Sequence, residues 1–394
     1  MNISNPIKEV GHFKPPTRIL CGPGPGNAHP RVHAALSLPQ LGHMDPDFLN
    51  ICEDVKKLMR YVWQTNEEFT IPISGTGSAA WEAVIANMTC PGDVFLCCVN
   101  GYFGERQCDM ASRYKADVKR IDVPWGEVFT YKQIEDALIK FKPKMMWMCY
   151  AETSTGARQP LEGIGDLCAK HNTLFILDTV TAIGGVNLEL DKLGVNACYA
   201  GGQKCLSCPP GISLLMMDNK AIEKSKDWNK RNEKVPNWYL DMSLIRNYLV
   251  QKDKAPRAYH HTAPISMVYA LREALTIIAE EGIENSWKRH EQTAEYFWGL
   301  LEEAGFEMLI PNKENRLTSL HTIKVPEGVD AAQAIKFIRE KFNMEIGSGL
   351  GSLNGKVFRV GLMGYNSRPE MALLVTSALK AALAEQNWKP HKKN

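Results

Sequence analysis

Ala200-Gly-Gly-Gln-Lys-Cys-Leu-Ser-Cys-Pro-Pro-Gly211 is a short, polar, glycine-rich turn carrying one lysine, Lys204, and the apolar run Ile212-Ser-Leu-Leu-Met-Met217 behind it reads as a buried strand. Upstream, a second apolar run, Leu174-Phe-Ile-Leu177, ends in Asp178. A lysine amine in a partly desolvated pocket forms a Schiff base with a carbonyl. An aspartate at a strand end can pair with a protonated pyridine nitrogen, the usual protein partner of pyridoxal phosphate. Most lysines are solvated surface charges, so Lys204 alone says little. The order strand–Asp, strand–Gly-Gly-Gln-Lys, Pro-Pro-Gly is much less common, and it points to a pyridoxal phosphate enzyme.

The bulk numbers agree with a soluble, two-part protein. A chain of 394 residues buries a large core and divides into units of unequal size. Hydrophobic residues make up 44% and charged residues 23%, ordinary for a globular protein. With 46 basic and 44 acidic residues the formal charge is only +2, which gives no footprint for nucleic acid or a membrane surface. No apolar run approaches the roughly 18–20 residues that span a bilayer. The first twenty residues lack the basic-then-apolar design of a signal peptide. Eleven scattered cysteines suit reduced, packed thiols inside a cell. Cys205 and Cys208 form a C-x-x-C beside Lys204, without the second half of a zinc site, so they read as packed thiols and no metal is expected.

Taken in order, residues 1–20 read as an extended arm interrupted by Pro6, Pro15 and Pro16. Cys21-Gly-Pro-Gly-Pro-Gly-Asn27 is an open loop where backbone can approach a ligand. Residues 46–63 place apolar positions at helical spacing. A strand over 69–73 then enters Ser74-Gly-Thr-Gly-Ser-Ala-Ala80 and a helix over 81–88. A strand, a glycine turn and a helix N-terminus make an anion site, with Thr76 and Ser78 as added donors. The same stretch fits the dinucleotide fingerprint G-x-G-x-x-A. That rival expects an acid at the end of the next strand, whereas Asp93 precedes the strand Val94–Val99. A single phosphate suits the loop better.

Gly101-Tyr-Phe-Gly-Glu-Arg106 puts aromatic rings at a strand's C-terminal end, where a planar cofactor can stack. Helix over 131–141, strand over 144–150, helix over 161–171 and strands at 174–178 and 197–200 follow. This alternation predicts an α/β fold with a mostly parallel sheet. Residues 219–258 carry interleaved charges and read as a surface excursion. His260 and His261 are neighbours on an extended chain with no other ligands close by, a poor metal site. One long amphipathic helical region is expected from Pro264 to about Ala304, then a smaller α+β portion with strands at 320–325 and 357–361. Arg359 lies inside the last, where an unpaired charge is costly and a carboxylate clamp would explain it.

With these residues in place, the chain resembles the alanine–glyoxylate and serine–pyruvate aminotransferases, fold type I pyridoxal phosphate enzymes of the class V group. The motifs are Gly22-Pro-Gly-Pro-Gly-Asn27, Ser74-Gly-Thr-Gly-Ser78, Ser154-Thr-Gly156, Asp178-Thr-Val180, Gln203-Lys204, Pro209-Pro-Gly211, Tyr259-His-His-Thr262 and Arg359-Val-Gly-Leu. The resemblance implies an arm over 1–20, a large cofactor domain over 21–280 and a small C-terminal domain over 281–394. It implies that Lys204 holds the cofactor and then carries a proton, and that Asp178 pairs with the ring nitrogen. Thr76, Gly77, Ser78 and Gln203 would cradle the phosphate. Phe103 and Val180 would cover the ring faces, and Ser154 would meet the ring hydroxyl region. Tyr259 and Thr262 would reach the phosphate from a second subunit, which implies a homodimer. Arg359 would bind the substrate carboxylate, in a pocket also lined by Gly24, Gly42, His43 and Ser154.

Three positions depart from the family pattern. Phe103 stands where tryptophan is usual, and Ser78 where relatives often carry histidine. The chain ends Lys392-Lys-Asn394, an imperfect match to an S-K-L type address, so the expected compartment is peroxisomal or cytoplasmic. Gly42-His43 resembles the alanine–glyoxylate type rather than the Ser-Asn form of insect 3-hydroxykynurenine transaminase. The leading expectation is amino transfer from alanine or serine to glyoxylate or pyruvate. The alternatives are a donor such as 3-hydroxykynurenine or ureidoglycine, cysteine desulfuration, and a nucleotide-binding dehydrogenase.

Overall fold

The computed structural model describes residues 5–250 and 257–389. The C-terminal Lys392-Lys-Asn394, the first four residues of the arm and part of the 219–258 excursion lie outside the described residues. Seven strands form the central sheet: β1 Thr70–Ser74, β2 Val94–Val99, β3 Asp117–Asp122, β4 Met145–Cys149, β5 Leu174–Asp178, β6 Ala197–Gly201 and β7 Ile212–Met217. Their spatial order is β1-β7-β6-β5-β4-β2-β3. All run the same way except β7, which is antiparallel to both β1 and β6. The central strands are buried along nearly their whole length, as expected for a sheet covered on both faces. β3 is the exception. Its sequence, Asp-Val-Lys-Arg-Ile-Asp, puts charges on an edge strand, where they discourage pairing with another sheet.

The helices follow local chemistry. Helix α1, Gly77–Met88, begins at the glycine turn after β1, and helix α2, Tyr102–Arg113, begins directly after β2. The helix Pro46–Trp63 has Pro46 in its first turn and Asp45 accepting from the Asp47 N–H at 2.8 Å. The region expected as one long helix is two, Ile265–Glu281 and Ile283–Glu303, broken at Gly282 with φ +88. Only glycine adopts that angle without cost, and the amphipathic spacing runs on across it, which hides the break from pattern reading.

Two hydrophobic cores result. The larger packs the sheet and its helices; the smaller gathers Phe297, Phe358, Val375 and Leu379 with their neighbours. In the smaller unit, Leu320–Lys324 and Gly347–Ser348 flank Val357–Gly361 in an antiparallel sheet. Cys21 joins this second core, and Ile19–Leu20 pair in parallel with Met344–Glu345. Residues 19–21 are therefore stitched to the smaller unit. The reading of 219–258 as a surface excursion needs correction. Trp228, Ile245 and Tyr248 are buried, and Lys224 bonds to Asp93 at 2.6 Å. Its charges alternate with a hydrophobic face that the polar composition masked.

Candidate active site

Six of the seven strands share one direction, so the turns at their C-terminal ends gather along one edge of the sheet. Glycine turn 75–77 follows β1, Gly101 and Phe103 follow β2, and Thr153 lies just beyond β4. Asp178 ends β5, and Gln203 with Lys204 follows β6. Residues far apart in sequence meet there around a cavity of about 160 Å³. Its wall includes Thr76, Gly77, Ser78, Phe103, Asp178, Val180, Gln203 and Lys204, eight positions singled out from sequence.

Lys204 is 8% exposed, and its Nζ donates to the Pro23 carbonyl oxygen. Burial, helped by the Arg359 guanidinium, lowers its pKa to about 8. Gly24 presses on the same side chain. It has φ +108, and a Cβ there would fall 2.6 Å from Lys204 Cδ, so only glycine lets the loop come this close. Asp178 Oδ1 accepts from the Val180 N–H and Oδ2 from the Tyr199 hydroxyl, each at 2.9 Å. Burial raises its pKa to about 7 despite those donors and the Lys204 charge, and among the described residues no cation bonds to this carboxylate.

Arg359 is also buried. Its Nε donates to the Ser348 carbonyl at 2.6 Å and its Nη1 to the Thr153 carbonyl at 3.1 Å. Burial lowers its pKa to about 10, opposed by Glu152. The strand register opposite Arg359 holds Thr322 and Gly347, and no carboxylate bonds to it among the described residues. A guanidinium with only carbonyl partners keeps donor capacity for an incoming anion.

The structure separates the other expected residues. Ser154 is wholly buried, with its hydroxyl donating to Glu152 Oε1 at 2.6 Å and accepting from the Tyr102 N–H at 2.9 Å. Thr153, not Ser154, forms the cavity wall, its hydroxyl 2.5 Å from that of Thr181. The two adjacent hydroxyls are equivalent by sequence, and only the turn geometry decides between them. Gly42 and His43 do not line the cavity of their own chain; the His43 ring lies 5.2 Å from Tyr259. Tyr259 is 62% exposed and Thr262 is also exposed, both outside this cavity. His261 Nε2 lies 2.7 Å from Ser74 Oγ, which ties that segment to the end of β1.

Sequence reading missed Trp81 and Arg106 in the wall. The Arg106 guanidinium lies 5.0 Å from the Phe103 ring centroid, one helical turn on from it, a spacing that could have drawn attention to it. The dinucleotide rival loses its acid. Asp93 is buried between Lys144 and Lys224 at 2.7 and 2.6 Å and accepts from the Cys90 N–H, an internal structural cluster. Cys205 and Cys208 are buried thiols with pKa values pushed up by burial to about 11 and 12. Among the described residues no cluster of three or more His, Cys, Asp or Glu side chains is placed to hold a metal ion, and no helix is long and apolar enough to cross a membrane.

A buried lysine of lowered pKa, a strand-end carboxylate awaiting a cation and a helix N-terminus converge on one cavity. Together they define an α/β enzyme that handles an aldehyde-bearing, phosphorylated, nitrogen-ring cofactor. Comparison with known proteins agrees. The family model described as aminotransferase class-V matches residues 31–374. The alanine–glyoxylate aminotransferase of Callithrix jacchus is 40% identical over 93% of this chain and 88% of its own length. A solved alanine–glyoxylate aminotransferase from Nostoc sp. superposes with TM-score 0.91 at 48% identity, covering 97% of this chain and all of that one. The ureidoglycine–glyoxylate aminotransferase of Bacillus subtilis gives TM-score 0.92 at 32% identity, with 97% of both chains covered. The chain belongs to the class-V aminotransferases, and its cofactor is pyridoxal phosphate.

The residues present fit that group. Free N–H groups at the start of α1 face the cavity beside the Gln203 side chain, whose amide NH2 is a donor an anion can use. Asp178 supplies the missing counter-charge for a protonated ring nitrogen.

Proposed function

We propose that this aminotransferase moves the amino group of alanine, and of serine more slowly, to glyoxylate. The observation that carries the small-donor reading is the press of Pro23 and Gly24 onto Lys204, within reach of the Arg359 charge. A donor held by its carboxylate at Arg359 has little room for a large side chain on the Lys204 side. The names of the marmoset and Nostoc relatives support the same donor and acceptor.

Bound pyridoxal phosphate supplies an aldehyde that condenses with amines and a ring that draws electrons from the substrate's Cα. Thr76, Gly77, Ser78 and Gln203 would hold its phosphate. Phe103 and Val180 would confine the ring between them, and Thr153 would offer a hydroxyl at the edge. Asp178 would hold the proton on the ring nitrogen. Lys204, with its pKa near 8, is about one-tenth neutral at pH 7, and its amine would take the proton from the substrate's Cα and deliver it to the carbon of the cofactor's aldehyde group. Arg359 would fix the carboxylate so that the Cα–H bond faces that amine.

The enzyme would work as a homodimer. Thr76 and Ser78 at the cavity and Tyr259 and Thr262 outside it are all exposed in the single chain. A second copy would bring the partner subunit's Tyr259 and Thr262 to the phosphate, and Gly42 and His43 would travel with them. One titration tests the donor. Purified protein is mixed separately with alanine, serine, ureidoglycine and 3-hydroxykynurenine, and loss of the visible cofactor band is followed. Alanine should discharge the band and glyoxylate should restore it. If only a larger donor discharges the band, the small-donor reading fails while the aminotransferase assignment stands.

A further inference from the structure

A chain of buried donors ends on Asp178. Trp147 Nε1 donates to the Tyr199 hydroxyl oxygen at 2.8 Å, and that hydroxyl lies 2.9 Å from Asp178 Oδ2. Trp147 and Tyr199 are fully buried, on β4 and β6 either side of β5. The β5–β6 register places Tyr199 directly opposite Asp178. An indole N–H can only donate, so the tyrosine oxygen must accept from it. The phenol proton then has one destination, the Asp178 carboxylate.

The order of the chain is fixed by more than its own bonds. The Trp81 ring lies parallel to both rings, 5.8 Å from Trp147 at 8° and 5.6 Å from Tyr199 at 11°. Trp81 stands on α1, whose first residues form the phosphate turn, and its own N–H reaches Gln107 on the Phe103 helix at 2.5 Å. The three elements that would grip the cofactor's phosphate, ring face and ring nitrogen are thus locked to one aromatic stack.

We propose that Tyr199, oriented by Trp147, is a positioning residue that keeps Asp178 ionised and aimed at the cofactor's ring nitrogen. A carboxylate accepting a neutral hydroxyl donor is favoured over its acid form. Opposing this are burial and the nearby Glu152 carboxylate; Lys204 helps from the turn after β6. The thiols of Cys149 on β4 and Cys198 on β6 also face Asp178 and stay protonated, their pKa values raised by burial first and by Asp178 second. Among these groups Tyr199 is the side chain that bonds directly to the carboxylate.

The test is the pH dependence of binding of pyridoxamine phosphate to the full-length chain stripped of cofactor. This probe has no aldehyde, so the nucleophilicity of Lys204 does not enter. In the wild-type chain, affinity should rise as Asp178 ionises. Tyr199→Phe removes the hydroxyl donor to Oδ2 and should move that midpoint up by about one to two pH units, costing roughly tenfold or more in affinity near neutrality. Affinity should return toward the wild-type value at high pH. Trp147→Phe should shift the midpoint the same way by a smaller amount, and it decides the matter if Tyr199→Phe does not fold. A uniform loss of affinity with an unmoved midpoint in the folded variants would overturn the proposal and leave Tyr199 as packing alone. Failure of the wild-type chain to bind the probe at any pH would instead remove the cofactor assignment on which it rests.

Discussion

Replacing Asp178 with asparagine should remove a pH-dependent cost from the stability of the cofactor-free chain while destroying its activity. The carboxyl titrates near 7 in the folded chain against an ordinary value of 3.8. Below about pH 4 it is protonated in both folded and unfolded states and contributes no pH slope. Between the two values the unfolded chain has released its proton and the folded chain has not, so stability falls as pH rises. Above about pH 7 the cost is constant. The difference of about three pKa units corresponds to a ceiling of about 4 kcal/mol. The amide of the variant cannot ionise, and slopes from all other groups cancel when the two chains are compared. Urea denaturation at fixed protein concentration should therefore show Asp178→Asn gaining on the wild type from about pH 4 to about pH 7, then levelling. With saturating pyridoxal phosphate that gain should disappear, because the ring nitrogen supplies the counter-charge. Parallel pH profiles for the two cofactor-free chains would refute the reasoning, since they would mean that the buried carboxylate carries no ionisation penalty.

Arg359→Ala should weaken carboxylate substrates by about 2–4 kcal/mol, read mainly as a raised KM for alanine; Arg359→Lys should recover only part, because an ammonium cannot reproduce the guanidinium fork. An unchanged KM would make Arg359 a structural residue of its strand. Gly24→Ala meets both a left-handed backbone angle and the Lys204 side chain, so a loss of about 1–3 kcal/mol in stability is expected, with slower cofactor uptake. Uptake at the wild-type rate would show that the Pro23–Gly24 loop yields easily. Thr153→Val should lower cofactor affinity more than Ser154→Ala does, as measured by equilibrium dialysis, and the opposite order would mean that Ser154 turns into the cavity.

Much of this site is legible in the sequence, for reasons that differ by residue. Lys204, Asp178 and the 74–78 turn stand at junctions where an apolar strand gives way to glycine or charge, and such junctions are visible without a structure. Parallel order then places all of them at one edge. The choice of Thr153 over Ser154 depends on which way a turn faces, and neighbouring hydroxyls carry no mark of it. Tyr199 sits inside Ala-Cys-Tyr-Ala-Gly, where it reads as ordinary core. Its role depends on pairing across to β5, a long-range register. The reversal of β7 was equally hidden, since Ile-Ser-Leu-Leu-Met-Met is as apolar as a parallel strand, and only the short Lys204 turn, too brief for a crossover, implied it. The placement of Gly42 and His43 beside Tyr259, away from their own cavity, follows from packing between distant segments.

The stitching of residues 19–24 to the C-terminal unit has a consequence for biosynthesis. Pro23 holds the Lys204 amine, and Ile19 and Leu20 shortly before it pair with Met344 and Glu345, while Arg359, the proposed carboxylate clamp, comes later still. A nascent chain that has emerged through β7 already possesses its lysine, aspartate and phosphate turn, yet neither the loop's anchor nor the clamp exists. Domains fold as units while synthesis proceeds, but closures over such long separations come last. The site is therefore finished only after residues through Arg359 have left the ribosome, and truncation before Met344 should leave a folded sheet with an unguarded, reactive lysine.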